Sequence, residues 1–199
     1  MTVTALILAA GQSRRMGQPK MLLPWGGTTV LGQVIETIQR AGIADILIVT
    51  GGARREVESI AEKYRVQTVF NADFTSGEIL SSIQVGLKFI SREGRFADGA
   101  LVVLGDQPQI EERSVRAVVS RFEETGASLV VPSVRMRRGH PWLVASPLWE
   151  EILAMRAPES PRDFLNRHAS TIEYVNVDSP SILADLDTPE DYRKSKPLP

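Results

Sequence analysis

The residues best suited to chemistry lie in three short stretches that are far apart in the sequence. The first, LILAAGQSRRMGQPK over residues 6–20, has an apolar run, a turn of small residues, and then Arg15 and Lys20. The others, GDQP and DLDTP, contain Asp106 and Asp187. Cations beside small residues suit a phosphate, because backbone amides approach an anion closely where side chains are short. Carboxylates from separate regions suit Mg²⁺, which prefers oxygen ligands and often bridges phosphates.

The glycine spacing of the first stretch matches neither common phosphate loop. Five residues separate Gly11 from Gly17, and Lys20 follows Pro19. A Walker loop needs four residues between its glycines and a Lys-Ser or Lys-Thr directly after the second, and a dinucleotide fingerprint needs G-x-G-x-x-G. Spacing alone therefore leaves two interpretations open: an anion site, or a strand and turn with solvated surface cations.

The composition is that of one globular domain. The chain has 199 residues, is 43% hydrophobic and 24% charged, and carries a formal net charge of -1. This near-neutral balance disfavours a nucleic-acid binder. The lack of cysteine excludes disulfides, thiolate nucleophiles and Cys-ligated metals, and fits the cytoplasm. The N-terminus has no signal-like basic region and no membrane-spanning run. We expect a cytoplasmic protein with one domain over residues 1–193, a disordered tail over 194–199, and neither membrane nor nucleic-acid partners.

Apolar runs and helical spacing alternate along the first two thirds of the chain. Continuous apolar runs over 3–9, 46–50 and 100–104, with a shorter one over 66–70, predict buried strands. Helical spacing predicts helices over 30–41, 54–64, 79–90 and 111–125. This alternation predicts a three-layer α/β fold with a mostly parallel central sheet. Ligands of such sheets bind beyond the carboxyl ends of the strands, so the loops after Ala9, Thr50, Phe70 and Leu104 are expected to carry the site.

The last third of the chain is predicted to form shorter strands and helices. Strands over 129–132 and 142–145 are predicted to pair across a turn-like segment around Arg137 to Gly139. Short helices over 147–155 and 161–167 and a strand over 172–177 follow. The final helix is predicted to open at Thr188-Pro189, where proline suits the first helical position.

The three stretches, with further landmarks, resemble a known family. L-A-A-G-x-S-x-R-M-G-x-x-K is the signature of the MobA-like nucleotidyltransferases, and residues 8–20 carry all of it. The likeness continues through LPW at 23–25, NADFTSG at 71–77, GDQP at 105–108, GHP at 139–141 and DLDTP at 185–189. Within the family, the chain is most similar to the molybdenum-cofactor cytidylyltransferases.

The resemblance implies a fold, a reaction and a metal. The fold is the Rossmann-like nucleotidyltransferase fold that nucleotide-diphospho-sugar transferases share. The reaction transfers CMP from CTP to the phosphate of a molybdopterin-type cofactor and releases pyrophosphate. Arg15 and Lys20 would neutralise the triphosphate, and Asp106 and Asp187 would hold Mg²⁺; Arg15, Lys20 and Asp106 are the predicted catalytic residues. Asp185 is the alternative second ligand, and Asp187 has another interpretation, as the N-cap of the last helix.

The resemblance also implies a nucleotide site and an acceptor site. The predicted nucleotide-binding residues come from the first stretch and the 71–82 region: Leu8, Ala9, Ala10, Gly11, Arg15, Lys20, Asn71, Gly77, Ser81 and Ser82. Guanylyl-transferring relatives have glycine where this chain has Ala10, so CTP is favoured over GTP. Gly139 and His140 are the predicted acceptor residues, with Arg137 and Arg138 available for an acidic substrate.

Other interpretations of these residues and of the function remain open. Asn71 and Asp73 also suit a turn, Ser81 and Ser82 a helix start, and the segment around His140 a hairpin with solvated arginines and a packed histidine. The alternative enzymes use GTP or act on a sugar phosphate. A different class is a carrier or chaperone that delivers the finished cofactor to an apo-enzyme. A molybdoenzyme or its maturation factor is a further expected partner.

Overall fold

The computed structural model describes residues 1–76, 79–92 and 96–197. The strands within these residues are numbered in chain order: β1 Val3–Ala9, β2 Pro24–Trp25, β3 Thr28–Thr29, β4 Ile46–Thr50, β5 Gln67–Phe70, β6 Gly99–Leu104, β7 Leu129–Val134, β8 Arg137–Arg138, β9 Trp142–Ala145 and β10 Glu173–Asn176. The α-helices are α1 Val30–Arg40, α2 Arg54–Tyr64, α3 Ile79–Ile90, α4 Glu112–Thr125, α5 Trp149–Ala154, α6 Pro161–Arg167 and α7 Pro189–Ser195. The predicted elements are all present, with ends that shift by at most two residues for most of them.

One mixed, mostly parallel sheet forms the centre of the fold. Its strand order is β10-β7-β9-β6-β1-β4-β5, and β8 pairs with β7. β1 lies between β4 and β6, and all three run parallel, as do the pairs β4–β5 and β7–β10. β9 is antiparallel to both of its neighbours, β6 and β7. The carboxyl ends of β1, β4, β5 and β6 therefore meet at one edge of the sheet, as the sequence predicted.

The sheet is buried on both faces because its central strands carry apolar side chains on both. In β1, Ile7 packs into the core that holds α1, α2 and α4, whereas Leu6 and Leu8 pack into the core that holds α3, α5 and α6. Alternate residues of a strand point to opposite faces, so a continuous apolar run fills two cores at once. This arrangement is the predicted three-layer fold.

In the last third of the chain, the predicted pairing of the strands over 129–132 and 142–145 is correct, but the predicted position of the turn between them is wrong. Leu129 and Val130 pair with Val144 and Leu143, as expected. However, the predicted turn segment contains β8, which pairs with the end of β7. The turn lies earlier, at Arg135 and Met136, whose φ angles of 48° and 65° are left-handed. Neither residue is of a type that signals this conformation, so the sequence did not reveal the turn.

The last helix, α7, begins at Pro189 as predicted and ends at Ser195. It therefore includes the first two residues of the segment predicted as a tail, and the last two residues of that segment lie outside the described residues. Among the described residues, no helix is both long and apolar enough to span a membrane.

Candidate functional site

Glycines after β4 and β6 pack closely against the backbone at the end of β1 and in the turn that follows it. A Cβ on Gly51, after β4, would lie 2.4 Å from the Ala10 carbonyl oxygen. The Gly52 amide donates to that oxygen at 3.3 Å, and the Gly105 amide, after β6, donates to the Leu8 carbonyl at 3.0 Å. Glycine at position 51 therefore lets the chain after β4 contact the backbone after β1 directly.

The loop after β1 turns Lys20 back toward the sheet. Two left-handed residues shape it: Ser13, with φ 51°, and Gly17, with φ 68°. The Ser13 hydroxyl accepts a hydrogen bond from the Lys20 backbone amide at 3.0 Å, which closes the loop. A positive φ is uncommon for a residue other than glycine, so contacts within the loop, and not an intrinsic preference, hold Ser13 in this conformation.

Four charged side chains from the three stretches meet at this edge of the sheet. The Lys20 ammonium contacts an Asp106 carboxylate oxygen and lies 3.5 Å from Asp187 Oδ1. The Arg15 guanidinium lies 3.0 Å from Asp187 Oδ2. The Lys20 and Asp106 side chains are 12% and 16% exposed, whereas Arg15 is 71% exposed. The pair at the base is thus shielded, and the arginine at the rim can reach a ligand from solvent.

Asp185 is the third carboxylate in this group. Burial raises the pKa of Asp185, and the negative charges of Asp106 and Asp187 raise it further. The hydrogen bond from Gln107 and the positive charge of Lys20 lower this pKa, but the net shift is upward. The Gln107 amide donates to Asp185 Oδ1 at 2.8 Å, and the Gln107 side chain is buried. GDQP therefore supplies both Asp106 and the residue that orients Asp185.

The N-cap interpretation of Asp187 is wrong. Thr188 caps α7, and its hydroxyl and the Asp191 side chain form a capping box around the first turn. This leaves the Asp187 carboxylate directed at Arg15 and Lys20. Because the next residue already caps the helix, the charge of Asp187 remains available for the site.

These residues surround a cavity of about 480 Å³. Its lining includes nine residues that the sequence singled out: Leu8, Ala10, Gly11, Arg15, Lys20, Ser82, Asp106, Asp185 and Asp187. Three others are placed differently. Ala9 is buried in the core, Asn71 is fully buried, and Ser81 lies beside it. Gly77 lies outside the described residues.

Asn71 supports the cavity wall from behind. Its side-chain amide lies 3.0 Å from the hydroxyl oxygens of both Ser81 and Ser82, and its carbonyl oxygen accepts from the Asp73 amide at 3.0 Å. The turn-forming interpretation of Asn71 is therefore correct. Both serines lie inside α3, which begins at Ile79, so the helix-start interpretation of Ser81 and Ser82 is wrong.

The cavity also contains residues that sequence reasoning did not assign. Gln12 donates to the Phe74 carbonyl at 3.3 Å, and Arg14 donates to the Gln12 side chain at 3.0 Å. These contacts link the first stretch to the loop after β5. Besides Leu8 and Ala10, the apolar part of the lining includes Met16, Met21, Phe74, Ile79 and Leu104. Gln12 and Arg14 occupy variable positions within the signature, and this was the only signal for them; Phe74 and Ile79 give no local signal.

The donor set is compatible with the predicted metal. An ammonium already occupies the position between Asp106 and Asp187, so these carboxylates can share a cation. Within the described residues, no group of three or more His, Asp or Glu side chains is arranged to hold a metal. Mg²⁺ does not require such a group, because it is usually held by one or two carboxylates together with water and substrate phosphates.

A second, larger cavity of about 1070 Å³ shares Ile79 with the first. His140 lines it, as do Arg137 and Arg138. Gly139, the other predicted acceptor residue, does not line this cavity and packs against the backbone of Pro132 and Ile182. Its amide donates to the Pro132 carbonyl, and a Cβ at this position would lie 2.4 Å from the Ile182 carbonyl oxygen. The glycine thus permits the close contact that positions His140.

His140 lies near both cavities. Burial lowers its pKa to about 4, while the negative charge of Asp106, which lines the first cavity, opposes that shift. The imidazole is therefore neutral near pH 7, where one ring nitrogen donates and the other accepts hydrogen bonds.

Comparison with known proteins identifies a matching family model and relatives that align over nearly the whole chain. Residues 5–172 match the model of the MobA-like NTP transferase domain. The molybdenum cofactor cytidylyltransferase of Escherichia coli (strain K12) is 30% identical over 98% of this chain and 95% of its own. The nicotine blue oxidoreductase of Paenarthrobacter nicotinovorans is 30% identical over 94% of this chain and 93% of its own.

Solved structures agree with the fold. The crystal structure of Rv0371c from Mycobacterium tuberculosis H37Rv superposes with a TM-score of 0.81 at 28% identity, covering 98% of this chain and 97% of that one. A manganese complex of Rv0371c gives a TM-score of 0.77 at 26% identity with the same coverage. Names from two reaction classes appear at 30% identity, so identity alone does not select the reaction.

Proposed function

Because the chain belongs to the MobA-like NTP transferase family, we propose that it transfers CMP from CTP to the phosphate of a molybdopterin-type cofactor. The observation that carries this proposal is the meeting of Lys20 with Asp106 and Asp187 beside Arg15. This set combines phosphate-neutralising cations with metal-binding carboxylates. A dinucleotide-dependent oxidoreductase would use the cations for its cofactor's phosphates, but hydride transfer has no need of metal-binding carboxylates beside them.

In the proposed reaction, an oxygen of the acceptor phosphate attacks the α-phosphorus of CTP. A new P–O bond forms as the bond to the bridging oxygen breaks, and the electron pair leaves with pyrophosphate. No side-chain nucleophile is needed, because positioning and charge neutralisation supply most of the catalysis in phosphoryl transfer. Arg15 at the rim and Lys20 at the base are suited to bind the triphosphate, together with the backbone amides around Gly11.

Asp106 and Asp187 are the residues that would hold Mg²⁺, with Asp185 behind them. When bound, the metal would neutralise phosphate charge and orient the phosphate oxygens. The manganese complex of Rv0371c supports divalent-metal use among similar proteins. The hydrogen bond from Gln107 keeps Asp185 directed at this group.

CTP is proposed over GTP because of Ala10. This residue lines the first cavity at the position where guanylyl-transferring relatives have glycine. We expect Ala10→Gly to raise the ratio of GTP to CTP turnover while the fold is retained. An unchanged ratio would remove the basis for the choice of nucleotide.

The decisive experiment measures pyrophosphate release with each NTP and Mg²⁺, with and without molybdopterin, and with a sugar phosphate as the other acceptor. Release that needs both CTP and molybdopterin is the expected result. Release with GTP or with the sugar phosphate would identify one of the alternative transferases. No release in any pairing, together with tight binding of the finished cofactor, would identify a carrier.

Asp106→Asn provides the residue-level test. We expect it to lower kcat/KM by about 10²- to 10³-fold, as loss of one stabilising group in a preorganised site does. The matched control is Asp178→Asn, which removes an exposed carboxylate elsewhere. Near-normal turnover by a folded Asp106→Asn protein would contradict the assignment.

A further inference from the structure

The two cavities differ sharply in charge. The first is lined by three cations, Arg14, Arg15 and Lys20, and by three carboxylates. The second is lined by Arg137, Arg138 and Arg162, and the described residues that line it include no Asp or Glu. The balanced cavity suits a triphosphate that arrives with a divalent cation. The cationic cavity suits an anion that arrives without one.

Arg138 is held in a fixed position in the second cavity. Its Nε donates to the Tyr174 hydroxyl at 2.9 Å, and an Nη donates to the Asn166 side-chain oxygen at 2.8 Å. The guanidinium carbon also lies 5.7 Å from the centroid of the Tyr174 ring. An arginine that is already ordered loses less conformational entropy when it binds a ligand, so this geometry favours recognition.

Arg138 also retains capacity for a ligand. A guanidinium has about five N–H donors, and the contacts with Tyr174 and Asn166 use two. Within the described part of the chain, no carboxylate forms an ion pair with Arg137 or Arg138, and Arg162 interacts with the charge of its neighbour Asp163. Tyr174 belongs to β10, Asn166 and Arg162 to α6, and Arg138 to β8, so the end of the cavity is assembled from three elements.

The second cavity adjoins the first, which holds the charged site. Ile79 lines both cavities, and His140 in the second is close enough for the charge of Asp106 to affect its pKa. A ligand that fills the second cavity can therefore place one end toward Asp106 and the other toward Arg138. Its two ends would face different chemistry: metal-binding carboxylates near the nucleotide, and guanidiniums at the far wall.

We infer that the acceptor is bound as a polyanion: its phosphate faces the nucleotide, and a second anionic group is bound by Arg138 with Arg162. Tyr174 and Asn166 are positioning residues that hold the Arg138 guanidinium. This inference rests on the proposed function for the identity of the acceptor. The anion site itself does not, because its charge and geometry are independent of the reaction.

The first test uses sulfate as an acceptor-independent probe. Sulfate also stabilises proteins by exclusion from their surface, so only the part of the Tm rise that saturates with sulfate, measured against sodium chloride of equal ionic strength, gives the sulfate affinity of the protein free of nucleotide and Mg²⁺. We expect Arg138→Gln to weaken sulfate binding at least about tenfold and Arg15→Gln, in the first cavity, by no more than about twofold. The matched control is Arg55→Gln, an exposed arginine on α2. Unchanged sulfate binding by folded Arg138→Gln would overturn the proposed site.

The second test measures turnover with CTP and Mg²⁺ on two acceptors. Molybdopterin carries a phosphate and a dithiolate, whereas a pterin phosphate monoester carries only the phosphate. We expect Arg138→Gln to raise KM for molybdopterin about tenfold or more, with kcat within about threefold, and to affect the monoester little. An equal effect on both acceptors would overturn the assignment of Arg138 to a second anionic group.

Two further variants separate positioning from direct contact. Asn166→Ala and Tyr174→Phe are expected to raise KM for molybdopterin by smaller factors, about two- to fivefold, without changing kcat. Arg138→Lys should not restore affinity, because an ammonium cannot reproduce the fork of a guanidinium. Restoration by lysine would show that charge alone suffices and would contradict the positioning role. If wild type releases no pyrophosphate with any acceptor, the proposed function fails, and the sulfate test still decides the anion site.

Discussion

Replacing Lys20 should tighten the binding of a divalent cation to the nucleotide-free protein, although the same change should abolish turnover. The Lys20 ammonium contacts Asp106 and lies 3.5 Å from Asp187, so it occupies the position that both carboxylates would offer to a metal. In Lys20→Met, a side chain of similar length removes this competing charge. The two carboxylates are then left without their shared cation, and a metal is the natural replacement.

The magnitude follows from Coulomb's law with a correction for solvent. Unit charges 3.5 Å apart interact by about 5 kcal/mol at an effective dielectric constant of about 20. The Asp187 side chain is 38% exposed, so screening and the cost of desolvation reduce this coupling to about 1–3 kcal/mol. Removing that competition corresponds to a roughly 5- to 150-fold gain in metal affinity.

The assay is a titration of the nucleotide-free protein with Mn²⁺, in which electron paramagnetic resonance measures the free ion. Wild type, Lys20→Met and the control Lys63→Met, an exposed lysine on α2, are compared. Mn²⁺ should also raise the free energy of unfolding of Lys20→Met more than that of wild type. Equal or weaker Mn²⁺ binding by folded Lys20→Met would refute the view that Lys20 and the metal share one position.

Three further predictions concern the framework of the site. Gly51→Ala should lower the free energy of unfolding by about 1–3 kcal/mol in chemical denaturation, because the new Cβ would lie 2.4 Å from the Ala10 carbonyl oxygen. Gly52→Ala is the control and should have little effect, because its Cβ would lie no closer than 3.4 Å to any neighbouring atom. Asn71→Ala should lower the free energy of unfolding by about 1–3 kcal/mol and reduce turnover, because the buried Ser82 hydroxyl and the partly buried Ser81 hydroxyl lose their partner; full stability would argue against this role. The pKa of His140 is about 4 when folded and about 6.5 when unfolded, so the unfolded state takes up the proton first as pH falls. Denaturation curves should show wild type losing up to about 3 kcal/mol between pH 6.5 and 4, and His140→Asn should lack that loss.

Much of the fold could be predicted because its signals are local. The apolar run of β1 and the helical spacing of α1 and α3 depend on neighbours a few residues apart, and all three have bounds within one residue of the expected ones. The turn at Arg135 and Met136 could not be predicted, because its left-handed backbone is imposed by the pairing of β7 with β8.

The candidate site divides in the same way. Arg15, Lys20, Asp106 and Asp187 could be selected from the sequence because each lies in a motif or directly after a predicted strand. The role of Asp187 could not be decided, because a cap and a metal ligand look alike until the side chains of Thr188 and Asp191 are seen to close the cap. In the second cavity, the sequence indicated His140, Arg137 and Arg138 but gave no signal for Arg162, Asn166 or Tyr174, which come from distant elements.

The sequence by itself determined which segments become strands and helices, the edge of the sheet that carries the chemistry, and the charged residues found there. Tertiary structure alone decided that Lys20 would lie between two carboxylates 86 and 167 residues away, and that Arg138 would be held by residues from two other elements. The physical reason is range. Periodicity and turn chemistry act over a few neighbouring residues, whereas these contacts depend on how the packed layers bring distant segments together.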